Sequence, residues 1–182
     1  MTAPKILVII PAYNEERSVG QLVYEINDKY PLFSILVIND SSADATRQKA
    51  EQSGAIVISH PFNLGIGGAV QTGYRFAHLH DFDATIQIDG DSQHDPLYLM
   101  DVLKPILNDG IDLCIGSRFL LEQSDFKSTP LRRLGIRFFS MILYFLTGAH
   151  LSDPTSGFRA TGKKLIRIFS NYYPVDFPEP EA

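Results

Sequence analysis

The chain has 182 residues, 45% hydrophobic and 20% charged, with a formal net charge of −5. This suits one globular domain with a sizeable core and excludes disorder of the whole chain. A single cysteine, Cys114, excludes an intramolecular disulfide, the absence of a cysteine cluster argues against structural zinc, and the acidic balance argues against nucleic-acid binding. The opening MTAPKILVII lacks a charged n-region and a small-residue cleavage site, so a reducing cytoplasmic setting is expected. The average charge conceals a segregation. Residues 127–167 carry eight Lys and Arg against one carboxylate, Asp153, whereas residues 1–126 sum to −9.

KILVII (5–10) predicts a first strand, broken by Pro11 so that Tyr13 and Asn14 face a ligand. Glu15 and Glu16 then fall in the first turn of a helix carrying Val19, Leu22, Val23 and Ile26 at helical spacing. ILVIN (35–39) is the second strand and ends on Asp40; Ser41, Ser42 and Asp44 follow as capping and turn residues. AIVIS (55–59) is the third, and Ala69, Val70, Gly73, Phe76 and Ala77 mark a helix that His78 and His80 end. ATIQI (84–88) is the fourth, and Asp95-Pro96 supplies the N-cap and first position of a helix carrying Met100, Leu103, Ile106 and Leu107. DLCIG (112–116) is the fifth strand, with Cys114 in the core.

This βαβ order predicts an α/β fold with an open, mostly parallel sheet flanked by helices. Ligands of such sheets bind outside the carboxyl ends of the strands. The polar residues collect there: Asn14, Asp40, Asp89, Asp91, Ser117 and Arg118. The segment 131–150 is apolar nearly all round, yet only Phe138–Ala149 is free of ionisable groups other than tyrosine, short of the ~20 residues a bilayer requires. A buried or interfacial helix is expected.

Asp89 and Asp91 stand two apart on an extended chain, so their carboxylates share a side, and Gly90 between them permits close backbone approach. A hard cation, Mg²⁺ or Mn²⁺, is typically held by one or two carboxylates plus substrate phosphates, so the pair suits a nucleoside diphosphate. Asp40 can accept hydrogen bonds from a base or ribose. The glycines of a dinucleotide fingerprint are absent after the first strand. Asn63-Leu64-Gly65-Ile66-Gly67-Gly68 either brings backbone N–H groups near phosphate, Gly67 among them, or is a tight loop whose glycines allow helix-to-sheet packing.

Taken together, PAYNEE (11–16), INDSSADAT (38–46), NLGIGGA (63–69), DGDSQHDP (89–96), GSRF (116–119), DPTSGFRA (153–160) and YPVDFPEPE (173–181) give the chain a resemblance to family 2 inverting glycosyltransferases. Within that family it resembles the dolichyl-phosphate mannose synthase-like and polyprenyl-phosphate glycosyltransferases. The resemblance implies a GT-A fold and inverting transfer of a sugar from a nucleotide sugar. Carried over by position, it places Pro11, Tyr13, Glu15 and Asp40 around the nucleotide, and Asp89, Asp91 and Gln93 on the metal. Two positions depart from the pattern: Asn39-Asp40 replaces a pair of aspartates, and Ile136 replaces a small hydroxyl residue after the arginine pair.

A lipid phosphate acceptor is already anionic and needs cations more than a general base. Arg118, Arg132, Arg133 and Arg159 supply guanidinium forks for it, with Ser156 of DPTSGFRA beside them. Asp91 and Arg118 are the expected catalytic groups. Asp153 either joins them on the acceptor, orients Arg159, or is a turn residue beside Pro154. Arginines interleaved with apolar residues over 131–150 suit an anionic membrane interface, which points to a peripheral protein on the cytoplasmic face. Lys163, Lys164 and Arg167 fit a solvated helix face, and His94 a polar turn near the metal. The expected organisation is a catalytic domain over 1–182, with a nucleotide-sugar half (1–116) and an acceptor half (117–182). Its stop just after Pro-Glu-Pro-Glu suggests an excised domain, with any membrane spans beyond Ala182. Transfer to a polysaccharide hydroxyl, or nucleotide binding without turnover, are the alternatives.

Overall fold

The structure is a computed structural model that describes residues 3–91, 94–116 and 156–174. Strands β1 (Ile6–Ala12), β2 (Ser34–Asn39), β3 (Ile56–Ser59), β4 (Ala84–Gln87), β5 (Leu113–Ile115) and β6 (Arg159–Gly162) form one sheet in the order β3-β2-β1-β4-β6-β5. The β1–β2, β2–β3 and β1–β4 pairs are parallel, and β6 is antiparallel to both β4 and β5. Helices α1 (Val19–Lys29), α2 (Thr46–Gln52), α3 (Gly65–Leu79), α4 (Leu99–Asn108) and α5 (Lys163–Asn171) flank it.

Alternation along the strands divides the apolar residues between two cores. Ile6, Val8 and Ile10 of β1 and Ile35 and Val37 of β2 pack with Leu22, Val23 and Ile26 of α1 and Leu99, Leu103 and Ile106 of α4. Leu7, Ile9, Leu36 and Ile38 face the other way, onto Ala69, Val70, Tyr74 and Ala77 of α3 and Ile166 of α5. Burial on both faces is why KILVII and ILVIN read as unbroken apolar runs.

Three expectations are corrected. Pro11 does not break β1, which continues to Ala12 with Pro11 paired in register to Ile38. Ile9 O accepts from Ile88 N–H on the β4 side and Ala12 O accepts from Asp40 N–H on the β2 side. By alternation the nitrogen of Pro11 faces β4, just where that ladder ends, so its missing N–H disrupts nothing. Glu15 and Glu16 precede α1, which has no acidic residue in its first turn. Finally, β6 inserts between β4 and β5; its short sequence RATG carries no apolar run to announce it. The Asp95 cap is as expected: its Oδ1 accepts from Leu97 N–H at 2.8 Å, with Pro96 opening a 3₁₀ turn ahead of α4.

Gly73 is where α3 meets the sheet: a Cβ there would lie 2.4 Å from Ile9 Cγ2. Gly73→Ala should therefore destabilise by about 1–3 kcal/mol through overpacking, and Ile9→Ala, which removes Cγ2, should cost less in the Gly73→Ala background than alone. Urea midpoints of the two single variants and the double variant measure this. Additive losses would show that the close approach is absent.

Candidate active site at the carboxyl edge

The chain runs outward from β1 through β2 to β3 and then returns to place β4 on β1's other side. The crevice between the carboxyl ends of β1 and β4 is thus the switch point where such sheets bind ligands. Because β6 is antiparallel, it brings its amino-terminal flank, Ser156-Gly157-Phe158, to the same edge.

The loops after β1 and β2 are laced together. Asn14 N–H donates to Ser42 Oγ (2.9 Å), Ala43 N–H to Asn14 Oδ1 (2.9 Å), Glu15 N–H to Thr46 Oγ1 (2.7 Å) and Ala45 N–H to Glu16 Oε2 (3.0 Å). Asn14 and Ser41 adopt left-handed backbone, at φ 56° and 64°, which makes this fit possible. Asn14 thus spends its side-chain carbonyl on the neighbouring loop, and Tyr13 is left 52% exposed at the crevice. The Glu15 carboxylate accepts from Ser18 Oγ at 2.8 Å.

Asp89 follows β4 and is partly buried. Its Oδ1 is buried with no hydrogen-bond partner among the described residues, while the Gln87 side chain donates to the carboxylate. Burial pushes this carboxyl above the usual carboxylate range, opposed by His94, reinforced by Asp91, and opposed again by Gln87 and Arg159. Backbone approaches the carboxylate closely at Gly157, where a Cβ would lie 2.5 Å from Asp89 Oδ2, and at Gly90 it approaches β1, where a Cβ would lie 3.1 Å from Pro11 O. Asp91 is exposed, and the His94 ring stacks on Phe158 with centroids 5.2 Å apart. Among the described residues no group of three or more His, Cys, Asp or Glu converges on one point. A buried carboxylate oxygen without a partner, beside a second carboxylate, is the donor set that a divalent cation shared with a diphosphate requires.

Polar side chains continue inward from Asp89 on the α3 side of the sheet. Gln87 and Arg159 are paired in register, followed by Thr85 and Thr161, whose hydroxyls are 2.6 Å apart. The Tyr74 hydroxyl reaches both threonines. Gln87 Oε1 and Arg159 Nε are also buried without partners among the described residues, although Arg159 Nη2 donates to Ser156 O at 2.8 Å. Ser156 is fully buried and its Oγ accepts from Phe158 N–H.

Asp40 is 3% exposed. Its Oδ1 accepts from Leu64 N–H at 2.9 Å and lies 2.7 Å from His60 Nδ1. His60 Nε2 lies 2.9 Å from Thr72 Oγ1, which also contacts Gly68 O at 3.0 Å. Of the loop glycines, Gly67 and Gly68 are buried in the first turns of α3, and a Cβ at Gly68 would meet Leu64 Cβ at 2.6 Å, so Gly68 serves packing. Lys163 pairs with Asp81 and Asp83, and Lys164 with Asp112, all partly or largely exposed.

The edge thus gathers Pro11, Tyr13, Asn14, Glu15, Asp40, Asp89, Gly90, Asp91, Ser156 and Arg159. Gln93, Arg118, Arg132, Arg133, Asp153 and the helix expected over 131–150 lie outside the described residues. Among the described residues no helix is long and apolar enough to cross a membrane. Sequence reasoning missed His60, Thr72 and Gln87. A glutamine inside the apolar strand ATIQI was a usable signal for the last; a lone histidine after IVIS was not.

A family model described as Glycosyl transferase family 2 matches residues 7–171. The chain is 32% identical over 184 residues to UDP-N-acetylglucosamine–dolichyl-phosphate N-acetylglucosaminyltransferase of Methanococcus voltae, covering 91% of this chain and 72% of that one. It is 30% identical over 169 residues to undecaprenyl-phosphate mannosyltransferase of Micrococcus luteus, covering 90% and 68%. Among solved structures, glucosyl-3-phosphoglycerate synthase from Mycobacterium tuberculosis, in complex with Mn²⁺, UDP and glucosyl-3-phosphoglycerate, superposes with a TM-score of 0.67 at 24% identity. That match covers 90% of this chain and 58% of the solved one, and it shows that the fold is GT-A-like.

Proposed function

Because the chain belongs to glycosyl transferase family 2, we propose that it moves a hexose, with inversion, from a UDP- or GDP-sugar to a polyprenyl phosphate. The observation that carries this is the buried, unpartnered Asp89 oxygen beside Asp91 at the sheet's switch point. The names of relatives at 30–32% identity support a polyprenyl phosphate as acceptor.

In this reading Asp89, Asp91 and Gln93 hold Mg²⁺ or Mn²⁺ against the donor diphosphate. A divalent cation, when bound, neutralises the charge of the leaving diphosphate. Pro11, Tyr13, Asn14, Glu15 and Asp40 border the base and ribose, Gly90 lets the backbone approach, and Gly67 lies in the first turn of the helix beyond. Arg118, Arg132 and Arg133 bind the acceptor phosphate together with Arg159, which opens β6, and the buried Ser156 just before β6 supports that side of the site through its carbonyl bond to Arg159. The phosphate oxygen is itself the nucleophile, so the residues must orient it rather than deprotonate it. Residues 131–150 seat the chain on an anionic membrane surface at the cytoplasmic face. Residues 1–116 form the donor half and 117–182 the acceptor half.

The test is incubation with labelled UDP- and GDP-hexoses, Mn²⁺ or Mg²⁺, and undecaprenyl or dolichyl phosphate. Label should enter an organic-extractable product that mild acid hydrolyses. Label in a water-soluble glycan would overturn the acceptor, and nucleotide binding without transfer or donor hydrolysis would overturn turnover by this chain.

A further inference from the structure

We propose that His60 is a positioning residue of the donor site, holding the Asp40 carboxylate in place and, through it, the loop that opens α3. This rests on the reading above that Asp40 borders the nucleotide.

His60 follows β3, with β2 and β1 between it and the β4 end that carries Asp89, and no step of the proposed transfer uses it. Its side chain is nonetheless 8% exposed and bonded through both ring nitrogens. Nδ1 lies 2.7 Å from Asp40 Oδ1, and Nε2 lies 2.9 Å from Thr72 Oγ1 on α3. Asp40 Oδ1 already accepts the Leu64 N–H, so an ionised Asp40 takes a second proton donor at Nδ1. A ring that donates at Nδ1 is fixed in orientation by what it meets at Nε2, which here is a hydroxyl on α3. The imidazole therefore links the end of β2, the end of β3 and the second turn of α3. Among the described residues, both hydrogen bonds to the Asp40 carboxylate fall on Oδ1, and Oδ2 is the oxygen the proposal gives to the base or ribose. A buried carboxylate held at one oxygen by two donors cannot turn to follow solvent, so a ligand would find its other oxygen already placed. Without His60, the Leu64 N–H is the tether that remains to the carboxylate among the described residues.

Two near-isosteres separate the arms of this link. Asparagine places its amide nitrogen near the Nδ1 position and keeps a donor toward Asp40; glutamine places its amide near the Nε2 position and keeps only the Thr72 arm. Calorimetric titration of UDP and GDP with Mn²⁺ into the parent chain, His60→Asn, His60→Gln and Thr72→Val should be paired with thermal melts. His60→Gln should weaken nucleotide binding roughly tenfold or more, and His60→Asn should restore most of it. In enzyme assays the loss should fall on donor KM, with kcat nearly unchanged. If binding falls in parallel with melting temperature across all variants, or if His60→Gln binds like the parent, His60 is only structural and the proposal is overturned. A parent chain that binds neither nucleotide overturns the donor-site reading and this proposal with it.

Discussion

Replacing Asp89 by asparagine is expected to remove most sugar transfer while making the metal-free chain more stable. The two effects share one cause. Asp89 carries a buried oxygen with no partner among the described residues, and burial raises its carboxyl above the ordinary value of 3.8. A carboxyl whose pKa is raised by folding contributes stability that is whole below the ordinary value and lost as pH rises through the folded one. At neutral pH the ionised side chain therefore opposes folding until a cation neutralises it. Asparagine keeps the shape and removes the charge. The melting temperature of the metal-free chain should rise, by about 2–4 °C for each kcal/mol relieved in a chain of this size. The parent should gain stability from Mn²⁺ with UDP or GDP by mass action, and the variant should lose that increment. Transfer should fall by roughly 10²–10⁴-fold, the range expected when charge stabilisation worth several kcal/mol is removed. A variant that keeps both its metal response and its transfer rate would exclude Asp89 from the metal site.

How far the sequence led depended on whether a residue's role was local. Parallel strands covered on both faces must be apolar throughout, so KILVII and ILVIN were legible, as were the helices whose apolar residues recur every three or four positions. Asp89 and Asp91 were legible as an acidic pair following a strand, but not in their geometry: β4 stops at Gln87 and Gly90 and Asp91 lie in a turn, so the same-side rule of extended chain does not apply to them. Pro11 was misread because the rule that proline breaks a strand depends on which neighbour its nitrogen faces, and only the observed ladder order reveals that β4 has ended there. β6 was missed because RATG is stabilised by partners far away in sequence, β4 and β5, and not by its own pattern. His60 belongs to the same class. Its importance comes from Asp40 and Thr72, which the topology brings to it from other elements. Asn14 was placed at the right edge, but its side chain serves the neighbouring loop, a role that required knowing that Ala43 lies opposite.

The strongest consequence of the antiparallel strand is the prediction that Gly157→Ala disables the site without unfolding the chain. Parallel strands can bring only their carboxyl ends to the crevice; β6 reverses direction, and so delivers the residues before it. Gly157 thereby sits against Asp89, and an added Cβ would fall 2.5 Å from Oδ2 and 2.8 Å from Oδ1. Real Cβ atoms do not approach oxygen so closely, so either β6 or the carboxylate must move. β6 is held in register on both sides, by Gln87–Arg159 and Ile115–Arg159 among other pairs. Among the described residues, the Asp89 carboxylate takes one side-chain hydrogen bond, from Gln87. The carboxylate should therefore swing, at a cost to folding of about 1–3 kcal/mol. A displacement of about 1 Å in a positioning group can lower a rate about 10²-fold, and a loss of transfer of that order is expected here, with weakened Mn²⁺ binding. Coupling supplies the control. If the damage acts through the carboxylate, adding Gly157→Ala to Asp89→Asn should change metal response and transfer little further, because the two changes act on one group. Fully additive losses would show instead that Gly157 matters through the strand's own packing, and would sever it from the chemistry at Asp89.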